Sequence, residues 1–323
     1  MRILLQFPEG LKQEALAHSA RLTSQGHEVF LSAAACYGAC DLALDEARAI
    51  KAKKLIHFGH AEFMKMSDSA DNSPSASRLT KVRAPGLKVE YIPYFAELDW
   101  KATGSMLQKA ASLLRAAGAK KLSLVFPVQH LKNAARVQTA LEADGFSVAL
   151  GKGGAHVAHA GQVLGCDGTA AYSGEARSAD TVVYFGGGKF HPTGIPAGKP
   201  VLCADPHLQD AYWITDEIAR QEKRKNGSLL AASEAKTFGI LLSTKNGQFN
   251  LSGAQLAKKL LEKKGRHAEI LVANEFSPLA LANFLKFDAY INTACPRISD
   301  DREAYGKPVV NIADIKRLLE LLL

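Results

Sequence analysis

The stretch RILLQFPEGLKQEALAHSARLTSQGHEVFLSAAA, residues 2–35, decides the fold class of this chain. An apolar run leads into a polar turn, a helical stretch, a glycine and a second apolar run. Leu11, Ala15 and Leu22 share one face of the expected helix. Gly26 stands where a helix takes a left-handed cap before the chain enters a strand. The pattern predicts a strand–helix–strand unit with a right-handed crossover and parallel strands.

The same unit occurs three times along the chain, which is typical of a repeated architecture. The second copy is LSLVFPVQHLKNAARVQTALEADGFSVALGKGG at residues 122–154. The third copy is FGILLSTKNGQFNLSGAQLAKKLLEKKGRHAEILVAN at residues 238–274. Gly145 and Gly265 take the position of Gly26, so each copy carries the same helix-ending signal.

Two further apolar runs follow each copy, and they are continuous rather than alternating. They are AKKLIHFGH (52–60) with VEYIPYF (89–95), ADTVVYFGGG (179–188) with PVLCAD (200–205), and FDAYINTAC (287–295) with PVVNIAD (308–314). Continuous β-branched runs indicate strands that are buried on both faces of a parallel sheet. We therefore predict an α/β fold of three repeated parallel-sheet domains, residues 1–100, 101–210 and 211–323, around a pseudo-threefold axis.

Composition excludes several classes of protein. The chain has 323 residues, of which 47% are hydrophobic, and a formal net charge of +8. No apolar run has the roughly 18–20 residues that span a membrane, and the N-terminal run is too short for a secretory signal. Lysines and arginines are scattered without interleaved aromatic residues, so no nucleic-acid surface is expected. These features predict a cytoplasmic protein, with a mobile Ser/Pro-rich loop at residues 67–86.

The five cysteines carry the strongest chemical signal. Their odd number and the missing secretion signal favour reduced thiols over disulfides. Cys40 and Cys166 lie in corresponding loops after the second strand of their units, and Cys295 ends the third strand of its unit. Loops at the carboxyl ends of parallel strands form ligand crevices, so three such domains would bring one thiol each to a common point. A cluster held by three thiolates keeps one iron open to substrate.

Packing is the alternative interpretation of any cysteine, because reduced cysteine often behaves as a small apolar residue. This interpretation is favoured for Cys203, which lies inside an apolar run, and for Cys36, although Cys36 could also bind a metal with Cys40. For the repeat-placed thiols, spacing alone leaves both shared metal binding and packing open.

Six motifs in one order resemble a known family. They are FPEGL (7–11), YGACDLA (37–43), HFGHAEF (57–63), LGCD (164–167), GGGKFHPTGI (186–195) and NTACPRISDD (292–301). Together they resemble archaeal diphthamide synthase, the 3-amino-3-carboxypropyl transferase of the first step of diphthamide biosynthesis. The resemblance covers nearly the whole chain. One departure is Ala61, where the family often has serine after the Gly-His pair.

The resemblance implies a homodimer in which Cys40, Cys166 and Cys295 bind a 4Fe–4S cluster. It implies that S-adenosylmethionine binds the open iron and is cleaved reductively to a 3-amino-3-carboxypropyl radical, with an electron donor as a further partner. The radical adds to carbon 2 of a histidine imidazole on translation elongation factor 2, and methylthioadenosine is released.

Other polar residues fall in the predicted crevice. Arg297 follows Cys295 closely and suits the substrate carboxylate. Gln248 lies in a strand-to-helix turn, where backbone amides point at anions. Glu9, beside Gly10, could pair with the substrate ammonium or cap the next helix. His60 ends a strand and is a further candidate contact.

His191 is interpreted as structural, in a Gly/Pro-rich loop. Two alternatives remain at this point. A quinolinate-synthase-like dehydratase also uses three α/β domains with one cysteine each. A periplasmic-type small-molecule binder would share the α/β domains, although the three repeat-placed thiols argue against it.

Overall fold

The first repeat forms a four-stranded parallel sheet in the computed structural model, which describes residues 1–63 and 86–322. Its elements are β1 (Arg2–Gln6), α1 (Ala15–Ser24), β2 (Glu28–Leu31), α2 (Leu44–Ala49), β3 (Lys54–Gly59) and β4 (Lys88–Pro93). The strand order is β2-β1-β3-β4, with every pair parallel. The predicted loop 67–86 lies outside the described residues except for Gly86.

The first helix starts later than the sequence pattern indicates. Pro8 is extended, with φ −66° and ψ 159°, and a 3₁₀ helix covers Glu9–Glu14 before α1 begins at Ala15. The expectation that Leu11 lies in the α-helix is therefore wrong. Leu11 still packs with Leu22 against the core that contains Ala15, because the 3₁₀ turn keeps its side chain on the same side.

The second repeat forms a five-stranded sheet in the order β6-β5-β7-β8-β9. Its elements are α3 (Trp100–Ala116), β5 (Lys121–Val125), α4 (Ala134–Ala143), β6 (Ser147–Ala149), β7 (Thr181–Phe185), β8 (Val201–Asp205) and β9 (Asp210–Trp213). The edge strand β9 is antiparallel to β8, with Leu202 opposite Trp213. The sequence pattern did not predict this strand, since the tight return after Asp205 is a local turn rather than a helical crossover.

The third repeat forms a four-stranded parallel sheet in the order β11-β10-β12-β13. Its strands are β10 (Thr237–Ser243), β11 (His267–Ala273), β12 (Ala289–Asn292) and β13 (Val309–Asn311). The remaining helices are α5 (Thr215–Ser233), α6 (Leu251–Lys263), α7 (Pro278–Ala282), α8 (Arg302–Tyr305) and α9 (Ile315–Leu321).

Burial follows the expected pattern for parallel sheets. All five residues of β7 and of β8 are buried, as are all four of β12. The edge strand β11 is instead partly exposed along its length. Central strands covered on both faces explain why their sequences are continuous apolar runs.

The glycine after the helix that joins the first two strands of each repeat has the predicted left-handed backbone. The φ angles are +80° at Gly26, +92° at Gly145 and +71° at Gly265. A side chain is disfavoured in this conformation, so glycine lets each helix end and the next strand begin within a few residues.

The α/β class with three repeated sheets is therefore confirmed. The chain divides into two compact units, Met1–Ile218 and Ala219–Leu323, and the first of these contains two of the sheets. The three domain ranges and the pseudo-threefold arrangement stay predictions. Within the described residues, no helix has the length and apolarity to cross a membrane.

Replacing Gly145 with alanine tests the helix-ending signal. Nothing lies within 4 Å of the added Cβ, so the change acts through the backbone alone. We expect Gly145→Ala to lower the free energy of unfolding by about 1 kcal/mol, measured by urea denaturation. The matched control is Gly104→Ala inside α3, where the added Cβ also meets open space. In that control the free energy of unfolding should rise by about 0.5–1 kcal/mol. If both variants changed the free energy of unfolding in the same direction, the explanation would be contradicted.

Candidate functional site

Cys40 lies in a tight turn after β2, as the sequence predicted. The backbone N–H of Asp41 donates to the carbonyl of Gly38 at 2.9 Å, so Cys40 is the third residue of the turn. Cys40 is half-buried, whereas Cys36 earlier in the loop is buried. The turn therefore leaves the Cys40 thiol more accessible than its neighbour.

The side chain of Gln6 holds this loop against the end of β1. Its Nε2 donates to the carbonyl of Asp41 at 2.7 Å, and the N–H of Ala43 donates to its Oε1 at 3.0 Å. Gln6 is only 2% exposed, so these bonds satisfy an otherwise buried amide. The sequence analysis did not identify Gln6 as a site residue. It could have done so, because Gln6 is a polar residue at the end of an apolar strand.

Two histidines extend the same network from the end of β3. His57 Nδ1–H donates to Gln6 Oε1 at 2.9 Å, and His60 Nδ1–H donates to His57 Nε2 at 3.0 Å. This assignment follows because the Gln6 amide already donates through Nε2. Burial lowers the pKa of His57 to about 3 and that of His60 to about 4, so both rings are neutral.

Glu9 lies after β1, as expected, but it already has a partner. Lys12 Nζ lies 2.7 Å from Glu9 Oε1 and also donates to the carbonyls of Ala33 and Ala34, at 3.3 and 3.1 Å. Glu9 thus supports the start of the cysteine loop through Lys12. Any contact between Glu9 and a substrate ammonium stays a prediction.

Cys166 sits at the tip of a second tight turn, between β6 and β7. The backbones of Leu164 and Asp167 exchange hydrogen bonds of 2.9 and 3.2 Å, which leaves Gly165 and Cys166 in the middle. Gly165 fits closely under Phe190, since an added Cβ would lie 2.4 Å from that ring. Cys166 is half-buried, like Cys40.

The aspartate after Cys166 anchors this turn. Asp167 is buried, and its Oδ1 accepts from the backbone N–H and the hydroxyl of Thr169, at 3.0 and 2.5 Å. The Thr169 hydroxyl in turn accepts from the N–H of Gly154 at 2.6 Å. A buried aspartate, Asp41, also follows Cys40. The Cys-Asp pair shared by LGCD and YGACD could therefore have identified Asp41 and Asp167 from the sequence.

A cavity of about 470 Å³ opens where β5, β7 and β8 end. Its lining residues are Pro127, Gln129, Gly187, Gly188, His191, Asp205, His207 and Leu208. Asp205 accepts from the backbone N–H groups of Gly188, His207 and Leu208, at 3.1, 2.9 and 3.1 Å. His191 was interpreted as structural, yet it lies on the wall of a ligand-sized space.

Cys295 begins a 3₁₀ helix, Pro296–Asp301, just after β12. Its carbonyl accepts from the N–H of Ile298 at 3.0 Å and from Asn292 Nδ2 at 2.7 Å. Asn292 Nδ2 also donates to Asn311 Oδ1 at 2.7 Å. The buried Asn292 therefore fixes the Cys295 loop as Gln6 fixes the Cys40 loop.

Two cations and one carboxylate act on the Cys295 thiol. Burial raises its pKa and the Asp300 carboxylate adds to that rise, while the backbone N–H of Arg297, the Arg297 guanidinium and the Lys245 ammonium act in the opposite direction. Arg297 Nε lies 2.8 Å from Asp300 Oδ2, so the guanidinium has a carboxylate partner already. Both side chains are mostly buried, with exposures of 16% and 15%.

Lys245 is a second residue that sequence reasoning missed. It is 6% exposed, and its Nζ lies 3.9 Å from Glu275 Oε2. The predicted residue Gln248 lies three positions on, where its N–H donates to the Lys245 carbonyl at 2.9 Å. The strand-to-helix turn at Gln248 is thus as expected, and its contact with a ligand stays a prediction.

The structure separates the five cysteines by exposure. The half-buried thiols are Cys40, Cys166 and Cys295, whereas Cys36 and Cys203 are buried. All five lie in the described residues, and none forms a disulfide. Cys203 packs inside the second sheet, as the packing interpretation requires. That the three half-buried thiols share one cluster stays a prediction.

The chain matches the family model described as "Putative diphthamide synthesis protein" over residues 7–321. It belongs to this family. The family covers nearly all of the chain, including the turns of Cys40, Cys166 and Cys295. The resemblance carried by the six motifs is therefore confirmed. The chain is assigned to the diphthamide synthesis family and not to the two alternatives, a quinolinate-synthase-like dehydratase and a periplasmic-type small-molecule binder.

The chain is similar to a relative and to two solved structures of the diphthamide synthesis family. The chain is 33% identical to 2-(3-amino-3-carboxypropyl)histidine synthase of Pyrococcus horikoshii, covering 99% of this chain and 86% of the relative. The crystal structure of Dph2 from the same organism matches with a TM-score of 0.83 and 31% identity, over 99% of this chain and 86% of that one. A second crystal structure of Dph2, with a 4Fe–4S cluster, also matches with a TM-score of 0.83, at 30% identity and the same coverage.

The buried His130, whose ring centroid lies 5.3 Å from that of the cavity residue His207, gives a test of how burial acts on a histidine pKa. Burial, with a smaller contribution from His207, lowers the pKa of His130 to about 4. The unfolded chain binds this proton near pH 6.5, so the stability from neutral His130 is present above about pH 6.5 and is lost as the pH falls toward 4.

Between about pH 7.5 and about pH 5, we expect the wild type to lose on the order of 1 kcal/mol more than His130→Leu. Urea denaturation at the two pH values measures this difference. His159→Gln, at an exposed position, is the control and should follow the wild type. Parallel pH profiles for the wild type and His130→Leu would contradict the burial effect.

Proposed function

We propose that this protein is a 4Fe–4S enzyme that makes 2-(3-amino-3-carboxypropyl)histidine. It cleaves S-adenosylmethionine to a 3-amino-3-carboxypropyl radical and adds that radical to carbon 2 of a histidine of translation elongation factor 2, releasing methylthioadenosine. The observation that carries the proposal is the match, over 99% of the chain, to a Dph2 structure with a 4Fe–4S cluster.

The chain's own thiols fit such a cluster. Cys40, Cys166 and Cys295 are the half-buried cysteines, and each lies on a turn that is held by a buried polar side chain. The N–H of Arg297 donates to the Cys295 sulfur, which is the kind of contact that tunes cluster ligands. We assign these three thiolates as the cluster ligands.

When bound, the cluster supplies an open iron for S-adenosylmethionine and the electron that breaks its bond between sulfur and the γ-carbon. Arg297 neutralises the substrate carboxylate, exchanging part of its ion pair with Asp300 for a charge-assisted bond. Gln248 and His60 contribute polar contacts at strand ends, and Glu9 pairs with the substrate ammonium in competition with Lys12.

The remaining assignments follow from the family resemblance. We propose that the enzyme works as a cytoplasmic homodimer, receives electrons from a separate donor, and binds elongation factor 2 as its protein substrate. The proposal requires neither a membrane nor a nucleic acid as partner.

The direct test uses protein reconstituted with iron and sulfide under anaerobic conditions. With dithionite, S-adenosylmethionine and archaeal elongation factor 2, we expect methylthioadenosine release and a mass increase on one histidine of the factor. A factor with that histidine replaced should stay unmodified. Cleavage without modification of the wild-type factor would show that the protein substrate is another one, and no cleavage would overturn the enzyme assignment.

Single substitutions test the three cluster ligands. Because each thiolate is one of three anchors, alanine at Cys40, Cys166 or Cys295 should sharply reduce bound iron and the cluster absorbance. The matched control is Cys203→Ala, a buried cysteine of β8, which should keep its iron. Iron content of anaerobically purified protein is the measurement. A full cluster in Cys166→Ala would remove that residue from the ligand set.

Arg297 is tested by substrate affinity. Losing a bond to a charged group costs on the order of 1.5–3 kcal/mol, so Arg297→Ala should bind S-adenosylmethionine roughly 10- to 150-fold more weakly. Arg297→Lys should fall between that variant and the wild type, because lysine lacks the planar fork. Anaerobic titration of the reconstituted protein gives the affinities.

The control for Arg297 is Arg317→Ala. Arg317 Nη1 lies 3.1 Å from Asp314 Oδ1 in the same i,i+3 arrangement, but its side chain is 52% exposed. It should bind substrate like the wild type. Wild-type affinity in Arg297→Ala with an intact cluster would contradict the carboxylate assignment, and loss of the cluster would make Arg297 a structural residue of the Cys295 loop.

A further inference from the structure

Three potential metal ligands lie together beside the Cys40 turn, and the cluster assignment uses none of their donor atoms. They are Cys36, His57 and His60, and their ligand atoms all lie within 4.8 Å of one another. Cys36 and His57 are buried, and His60 is partly buried. Two come from the end of β3 and one from the loop after β2, so the group joins two separate segments.

The histidines are oriented as metal-binding histidines usually are. A ligating imidazole typically donates its other ring N–H to a carbonyl or carboxylate oxygen, which fixes its orientation. His57 does so through Nδ1–H to Gln6 Oε1, and Gln6 is itself held by Asp41 and Ala43. His57 Nε2 therefore faces His60 Nδ1 at 3.0 Å, close to the about 3.3 Å between two nitrogens on one tetrahedral zinc.

Cys36 adds a sulfur donor with the same kind of support. The backbone N–H of Gly38 donates to its sulfur, and burial raises the pKa of the thiol to about 12. Without a cation the thiol therefore stays protonated. A hydrogen-bonded histidine pair could pack against a thiol for stability alone, but packing does not require all three donor atoms to lie within 4.8 Å of one another.

We propose that Cys36 Sγ, His57 Nε2 and His60 Nδ1 bind one Zn²⁺ ion, with a fourth position open to water. One sulfur and two imidazole nitrogens are donors that zinc prefers. On binding, the Cys36 thiol releases its proton to solvent and the ring proton of His60 moves from Nδ1 to Nε2, with no change of oxidation state. The ion would tie the Cys40 loop to the end of β3. This inference stands whether or not Cys40 binds iron.

The experiment loads reconstituted, cluster-containing protein with Zn²⁺, removes excess metal and measures bound zinc. We expect one zinc per chain, with one sulfur and two nitrogens from the protein in its zinc K-edge absorption spectrum. The zinc K-edge spectrum reports only the surroundings of zinc atoms, so the iron of the cluster does not contribute to it. Three sulfurs around the zinc would place it on Cys40, Cys166 and Cys295 instead and would overturn the proposal, as would no zinc above background.

Variants separate the proposed ligands from general effects on folding. Cys36→Ser should lose the zinc while keeping its iron, and Cys203→Ser should keep both. Gln6→Leu removes the support of His57 and should weaken zinc binding 10- to 100-fold in competition with a chelator. If Cys36→Ser binds zinc as the wild type does, with the same spectrum, the assignment is wrong.

Discussion

Parallel pairing of buried strands is the constraint on which the candidate site depends. A strand that pairs in parallel with its neighbours has its carboxyl end at the same edge of the sheet as theirs. In the first sheet this puts Gln6, the Cys40 loop and His60 at one edge, although they are far apart in sequence. In the third sheet it puts Lys245 and Cys295 at one edge in the same way. The sheet, rather than any local motif, therefore brings together the residues that can bind a ligand or a metal.

The loops at these edges are irregular, and buried polar side chains at strand ends satisfy their backbone groups. Gln6 ends β1 and bonds the backbone on both sides of Leu42, while Asn292 ends β12 and bonds the carbonyl of Cys295. Asp167 is itself the last residue of the Cys166 turn, and its carboxylate accepts from the backbone N–H of Thr169. Leaving such groups unpaired would cost about 1–3 kcal/mol each. Each cysteine turn is thus held by one amide or carboxylate that is itself nearly inaccessible to water.

The two units present different electrostatic environments to their thiols. At the end of the first sheet the histidines are neutral because burial disfavours their charged forms, and Lys12 is paired with Glu9. Around Cys295, burial raises the pKa of the thiol and the Asp300 carboxylate adds to that rise, while Arg297 and Lys245 oppose it. The third sheet therefore differs from the first in having a buried lysine and a mostly buried arginine near its thiol. This agrees with assigning the substrate carboxylate to Arg297 rather than to the first sheet.

The sequence by itself determined the three repeats, the continuous buried strands, the left-handed glycines and the loops that carry Cys40, Cys166 and Cys295. These features depend on periodicity and on turn chemistry, which act between residues close together in the chain. Only the tertiary structure showed that β9 reverses direction, that α1 begins at Ala15, and that Gln6 bonds His57 across 51 residues. It also gave Glu9 a partner in Lys12 and showed Lys245 to be buried. The bond between Gln6 and His57 joins side chains from two different strands. The energy of such a contact depends on which atoms the sheet brings within hydrogen-bond distance. That distance cannot be predicted from the residues that are neighbours in the sequence.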